Sequence, residues 1–462
     1  MNINKIISIS LTIISAIIFL YIFYLMFVFK DAANKSYYFN YFIISIIFFI
    51  LSIITFFLPY KIKQNIFLII FSTILTLYIL EFLLISFNQK TKLEVYESLK
   101  KKNSNIKLNI VPHMHGGNFD KFTNIPKDFF PASGISNSLI LDCNEDGFYS
   151  KFKTDRYGFN NDNKEWDKDI FEYVLVGDSF VQGACVYESD TIAGNLRKNL
   201  DNKNGVLNLG LGGNGPLLQY VTLREFVDKK INVKRILFFY YEGNDIDGLN
   251  NELDNPILNK YVKDINFSQD LINNQKTTDK LLEQILFNKL KNIKSKNKNI
   301  IFSQNSFVKF IKLSNLRKIF KNISKINNFK NLDLNFLINN WRVKSHYTDL
   351  EPRNIKPNNL KNLLKLVIKL SNENNSQLYF IYLPSYIRYI LENNQNTYYY
   401  GDVIKIVNEL NISLIDLKKD MFDKSENPLS FFPKLKPWHY NVEGYRAASK
   451  IIMNKISIME SN

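Results

Sequence analysis

Four short blocks hold residue types that together can do acyl chemistry. They are Gly177-Asp178-Ser179-Phe180, Asn208-Leu209-Gly210-Leu211-Gly212-Gly213, Gly243-Asn244-Asp245 and Trp438-His439-Tyr440-Asn441. A serine hydroxyl can attack a carbonyl once a base takes its proton. An imidazole titrates near neutrality, so it can take that proton and return it to the leaving group. Backbone N–H groups and an asparagine amide can hold the oxyanion formed in between. On this reading Ser179 is the nucleophile and His439 the base. The N–H groups of Ser179 and Gly213 and the amide of Asn244 form the oxyanion hole. Asp178 is expected to bond the turn, not to react.

Each block alone is weak. Gly-Asp-Ser is a common tripeptide and is not the Gly-x-Ser-x-Gly elbow of another hydrolase fold. A glycine-rich stretch can be a tight turn, and so can Asn-Asp. Order and setting give the blocks weight. Three of them follow apolar runs that read as buried strands, Glu172–Val176, Val206–Leu209 and Arg235–Tyr241. Leu378–Leu383 and Ile412–Leu417 read as two more. Helical patterns over Thr191–Leu200, Leu217–Lys229, Leu360–Ser371, Val403–Leu410 and Val442–Ile456 alternate with them. That alternation predicts an α/β fold with a parallel sheet covered on both faces. Sites in such sheets lie at the carboxyl ends of the strands, where these blocks fall.

These residues resemble the SGNH hydrolase superfamily, the GDSL-type esterases and lipases, named for a Ser, Gly, Asn and His in four blocks. The matching positions are Ser179, Gly213, Asn244 and His439, and Asn208 to Gly213 fits the Asn-x-x-x-x-Gly spacing of the second block. The match covers about residues 171–456 apart from an insertion, and the wording around Ser179 and His439 is similar to that of bacterial membrane-linked members. The resemblance implies a three-layer α/β/α flavodoxin-like fold. It also implies ester hydrolysis or acyl transfer, with O-acetyl groups of a glycan as the expected esters.

One position departs from that pattern. The family usually has an Asp three residues before the His, and here Lys436 stands there. Either the Lys436 main-chain carbonyl orients His439, or another acid does, with Asp423 and Glu426 as candidates. The missing acid also motivates a second reading, a weakly active or non-catalytic glycan-binding or assembly protein. A lipid acylhydrolase is a third.

Ahead of these blocks lie three apolar runs, Ile6–Phe29, Tyr38–Leu58 and Ile66–Phe87, each long enough to cross a bilayer. The first is too long for a cleaved signal peptide. The connection Pro59-Tyr60-Lys61-Ile62-Lys63 is basic, which favours an inside N-terminus and an extracytoplasmic catalytic domain, while Lys90, Lys92 and Lys100 to Lys102 argue the other way. Glu81 in the third run is expected to be structural. The plan is therefore residues 1–88 as a transmembrane region with three helices, 89–170 as a juxtamembrane linker and irregular lead-in, and 171–462 as the hydrolase-like domain. A Lys- and Asn-rich helical insertion occupies about 249–357 and is expected to be a lid or a packed cap.

The chain of 462 residues has 59 Lys and Arg against 43 Asp and Glu, a formal charge of +16. That charge is spread along an Asn- and Ile-rich chain without an Arg-rich patch, so no nucleic-acid partner is expected. The two cysteines, Cys143 and Cys185, form no disulfide framework and are expected to be buried free thiols. His113 and His115 could ligate a metal, but no Cys or further His accompanies them. No metal or cofactor is expected. The expected partners are the membrane and an ester-bearing glycan or lipid substrate, and the oligomeric state stays open.

Overall fold

The computed structural model describes residues 3–28, 35–86, 91–111, 129–200, 204–227, 231–298, 310–317, 357–390, 399–434 and 437–461. The chain divides into two compact units. One comprises Met1–Asn88 and Ile300–Asn327, the other Gln89–Asn299 and Asn328–Asn462.

The first unit contains the helices Ile3–Phe23, Lys35–Ile54 and Tyr60–Ser86. Within them Lys5–Phe27, Tyr38–Phe57 and Tyr60–Leu84 are long and apolar enough to cross a membrane. Large apolar side chains such as Ile17, Leu20 and Phe82 are exposed on these helices. Small polar residues sit between the first two helices, where Ser15 Oγ donates to Ser52 Oγ at 2.9 Å. The third helix starts at Tyr60, so Lys61 and Lys63 belong to its first turn and not to a connection. Lys63 is buried, and its Nζ donates to the Phe56 carbonyl at 3.3 Å. Glu81 is fully buried. It accepts from Asn315 N at 3.0 Å, Asn315 Nδ2 at 2.9 Å and Leu316 N at 2.9 Å. Part of the insertion, Phe310 to Arg317, therefore packs within this unit.

The second unit is built on two sheets. The lead-in forms a small one from β1 (Ile106–Leu108), β2 (Leu139–Leu141) and β3 (Lys151–Lys153), with β1 parallel and β3 antiparallel to β2. The main sheet contains β4 (Ile170–Val176), β5 (Gly205–Asn208), β6 (Asn232–Tyr241), β7 (Gln377–Leu383) and β8 (Ser413–Asp416). Its order is β5-β4-β6-β7-β8 and every pairing is parallel.

These strands are apolar on both faces because both faces are covered. Val174, Val176, Phe238, Tyr240, Phe380 and Tyr382 join one core with the helices Pro216–Phe226, Pro357–Glu373 and Tyr400–Glu409. Leu175, Leu237, Phe239, Ile381, Leu383 and Ile415 join the opposite core with the helices Ile192–Lys198 and Val442–Ser461. The result is a three-layer, flavodoxin-like α/β/α domain. The first strand, β4, lies inside the sheet with β5 on one side and β6 on the other. The chain reverses its winding there, and in sheets of this kind ligands bind outside the carboxyl ends of the strands at such a point. The first part of the insertion packs on this domain as helices, with Leu258, Tyr261, Leu281 and Leu282 in the core.

Candidate active site

Ser179 stands where β4 ends. It opens the short helix Ser179–Gln182, and Asp178 caps that helix by accepting the Phe180 N–H on Oδ1 at 2.9 Å. The turn is tight. A Cβ at Gly177 would lie 2.2 Å from Val181 Cγ2, so only glycine fits there. The lead-in braces this elbow from outside, with Asn160 Nδ2 donating to the Gln182 carbonyl at 2.8 Å and Asn161 Nδ2 to the Asn208 carbonyl at 3.0 Å.

The second block continues from β5 and lies against the elbow. Leu211 N donates to the Gly177 carbonyl at 3.2 Å, and Gly212 N to Gln182 Oε1 at 3.1 Å. A methyl group at Gly212 would stand 3.8 Å from Ser179 Cβ, so the Gly212-Gly213 turn lies beside the hydroxyl-bearing carbon. Gly213 has φ +78°, a conformation that favours glycine. Among the described residues no acceptor takes the backbone N–H of Ser179 or Gly213. Asn244 follows β6, is exposed, and makes no side-chain cap for the helix Asp245–Leu253 that it precedes. All three donors remain available for a ligand.

His439 reaches the same place from a turn ahead of the last helix. That turn is fixed on both sides. Tyr440 is fully buried and its hydroxyl donates to the Pro384 carbonyl at 3.1 Å, while Asn441 Nδ2 donates to the Ser430 and Phe432 carbonyls at 2.7 and 3.1 Å. The imidazole packs 5.0 Å from the Phe180 ring, centroid to centroid. Its Nε2 lies 2.8 Å from Ser179 Oγ, although the two residues are 260 positions apart. Its side chain is 17% exposed, enough to meet a substrate.

The other ring nitrogen meets an acid that the sequence reading missed. Nδ1 lies 2.7 Å from Glu145 Oε1, and the His439 main-chain N–H donates to Glu145 Oε2 at 3.1 Å. Glu145 is buried, at 2% exposure. With Nδ1–H donating to the carboxylate, Nε2 is left as the acceptor for the serine proton. The acid expected near His439 thus comes from the lead-in, not from the preceding loop. Asp423 is engaged with Lys418 Nζ at 2.6 Å and with the Tyr389 hydroxyl at 3.4 Å. Glu426 is exposed. Lys436 lies outside the described residues, as do His113 and His115.

Glu145 had a faint signal. It belongs to an acidic stretch, Asp142-Cys143-Asn144-Glu145-Asp146, directly after the apolar run Leu139-Ile140-Leu141. The same strand-end rule that singled out Ser179 applies to it. The cysteines also differ from expectation. Cys143 and Cys185 are joined in a disulfide and are not free thiols. Folding brings their Cα atoms to 4.9 Å, a separation a disulfide spans, whereas a sequence separation of 42 gave no hint of it.

The field around the imidazole is acidic. Burial lowers the His439 pKa, but Glu145, with Asp178 and Asp142 behind it, more than offsets this, so the ring titrates above the usual histidine range. Burial pushes Asp178 up to about 6, against the pull of its bond from the Phe180 N–H and of His439. Burial likewise holds Asp245 well above the ordinary carboxylate range, and the neighbouring Asp178 adds to the effect. Glu252 is pushed up to about 8 by burial, although its oxygens accept from Gly215 N at 2.6 Å and Leu217 N at 2.9 Å. Those bonds hold the far end of the glycine-rich loop.

No protein-family model and no curated protein matches the chain. Solved structures do. One is protein YxiM from Bacillus subtilis, 11% identical with a TM-score of 0.32, covering 63% of this chain and 58% of that one. The chain thus spans less than two thirds of that protein's length. Another is a carbohydrate acetylesterase family member from Sinorhizobium meliloti, 9% identical with a TM-score of 0.29, covering 63% of this chain and all of that one. Likeness at this level fixes neither chemistry nor substrate, so the chemical reading rests on the geometry.

Proposed function

We propose that this protein is a membrane-anchored serine esterase or acyltransferase, and that its substrates are O-acetyl esters of glycans outside the cytoplasm. One observation carries the reading. A serine hydroxyl, an imidazole and a carboxylate stand in line, at 2.8 and 2.7 Å, at the strand ends of a doubly wound sheet. Ser179 Oγ attacks the acyl carbon as His439 Nε2 takes its proton. The N–H groups of Ser179 and Gly213 and the Asn244 amide hold the oxyanion. His439 then returns the proton to the departing alcohol oxygen, leaving an acyl-serine. Water, deprotonated by His439, releases the acid, or a sugar hydroxyl takes the acyl group instead. Glu145 keeps the ring in the working tautomer and stabilises its charged form.

The disulfide supports a location outside the cytoplasm, since such bonds persist in oxidising compartments. The three apolar helices supply the anchor. The non-catalytic alternative drew on an imidazole without an acid, and Glu145 takes away that motive.

Full-length protein in detergent micelles tests the reading. It should release acetate from 4-nitrophenyl acetate and from an acetylated polysaccharide, and a fluorophosphonate should label it. Ser179→Ala should remove both. Equal rates and equal labelling in the two proteins would overturn the proposal. A panel of esters of increasing acyl length separates a deacetylase from a lipid acylhydrolase, because only the latter gains rate with chain length.

A further inference from the structure

The stretch that carries Glu145 has no regular secondary structure from Asp142 to Ser150. The hydrogen bonds that Glu145 makes among the described residues both go to His439, so its own stretch does not hold the carboxylate in place. The ends of the stretch close on each other through Asp142 N to the Ser150 carbonyl and Ser150 N to the Cys143 carbonyl, both at 3.0 Å, and Phe148 stacks on Tyr187, while on the Asp142 side of Glu145 two ties run to the segment just past the serine. Cys143, two residues before Glu145, is bonded to Cys185. Cys185 lies two residues beyond Gly183, which ends the short helix begun by Ser179. The second tie is Asp142, whose Oδ2 accepts the Cys185 N–H at 3.2 Å and whose Oδ1 accepts from Asn109 Nδ2 at 2.9 Å. The two sulfurs and a Glu145 carboxylate oxygen lie within 4.8 Å of one another, so the bridge packs directly behind the acid.

We infer that the Cys143–Cys185 disulfide is a positioning element, one that sets Glu145 against His439 and makes the base depend on an intact bridge. The inference rests on the esterase reading for its consequence in catalysis, but not for its effect on the imidazole. With the bridge open, the acid stretch keeps its Asp142 tie, the backbone bonds that close its two ends and the stacking of Phe148 on Tyr187, but nothing covalent stands behind Glu145. The carboxylate then leaves Nδ1, and the ring loses both its tautomer lock and its nearest negative charge. Other groups facing the ring stay, namely Asp178, Asp142, the Ser179 hydroxyl and the Phe180 face. The change at the imidazole should therefore match the change made by removing the Glu145 charge alone.

The test uses full-length protein in detergent with 13C-labelled histidine. The chain has only four histidines, and loss of a signal in His439→Gln identifies the right one. His439 is titrated in the oxidised protein, after treatment with a trialkylphosphine, and in Cys143→Ala/Cys185→Ala. The phosphine splits the bridge into two thiols and becomes its oxide with oxygen from water. The same samples are assayed on 4-nitrophenyl acetate across pH.

Opening the bridge should lower the His439 pKa as far as Glu145→Gln does. It should also cut kcat by about a hundredfold with KM nearly unchanged, the scale of a misplaced catalytic group. Reoxidation should restore both. In Glu145→Gln, reduction should lower neither quantity further, because both perturbations remove the same contact. An imidazole pKa that ignores reduction overturns the inference, and so do effects of reduction and Glu145→Gln that add in full. Absence of turnover in the oxidised protein would count against the esterase reading, while the titration would still decide the role of the bridge.

Discussion

Glu145 and Glu81 are both buried glutamates, one in each unit, at 2% and 0% exposure. Both accept backbone N–H groups, and neither sits where a carboxylate is expected. Glu81 takes three N–H donors from Asn315 and Leu316, all amides that never titrate. Such a carboxylate caps a chain segment. Glu145 takes one amide and one imidazole, and the far nitrogen of that imidazole meets a hydroxyl. Burial and satisfied hydrogen bonds are common to the two. What separates a structural acid from a chemical one is whether its partner can pass a proton onward. Glu252 belongs with Glu81 on this scale, since its partners among the described residues are the N–H groups that open the helix Pro216–Phe226.

Three substitutions test the chemical side of this contrast. Ser179→Ala sets the ceiling, with a loss of about 10⁶ in kcat expected by analogy with other serine nucleophiles. Glu145→Gln should come next, at about 10⁴, because an amide can hold the ring in the wrong tautomer while keeping its place. It should also move the pH profile. In the proposed mechanism the neutral imidazole is the base, so kcat/KM should rise with pH through the His439 pKa, which the acids hold above its usual value. Without the Glu145 charge, burial dominates and the rise should shift to lower pH, with a much lower plateau. A limb that stays in place would put Glu145 in the same class as Glu81. Asn244→Ala should cost about 10² to 10³ in kcat, the worth of one oxyanion donor. A change confined to KM would remove Asn244 from the oxyanion hole.

The same contrast explains what could be read without coordinates. The sheet and its helices were legible because strands buried on both faces are continuous apolar runs and their helices repeat at 3.6 residues. Ser179 and His439, which meet in the fold, could be picked out because one sits at a strand end and the other ahead of a long helix, in wording that local turn chemistry constrains, and Gly213 and Asn244 enter the proposed site by the same strand-end rule. Glu145 was not. Its strand, Leu139–Leu141, has three residues and no amphipathic period, and its link to His439 spans 294 positions. Nothing local requires that residue to be acidic, since only the imidazole does. The disulfide was hidden for the same reason, as was the return of Phe310–Arg317 to the first unit. All three are long-range closures, and only the folded chain brings their ends together.

Glu81→Gln should give the smallest change in activity and thereby complete the contrast. Its amide keeps one acceptor oxygen for three donors, so at least one N–H of Asn315 or Leu316 loses its partner. An unpaired buried donor costs about 1–3 kcal/mol. That loss should fall on the docking of Phe310–Arg317, where Tyr78 adds a hydroxyl bond of 3.2 Å to the Ile311 carbonyl and a ring contact of 5.1 Å with Phe310. Lys312 and Arg317 are exposed, so trypsin can report on the segment. Cleavage there should accelerate by roughly tenfold, about what 1.4 kcal/mol of lost docking would give when opening precedes cutting. Turnover of a small soluble ester should stay within about twofold of the parent, as expected for a residue outside the reacting set. If kcat instead fell as far as in Glu145→Gln, the acid in the third apolar helix would be coupled to the chemistry, and the distinction between a carboxylate that caps and one that orients a base would not hold for this chain.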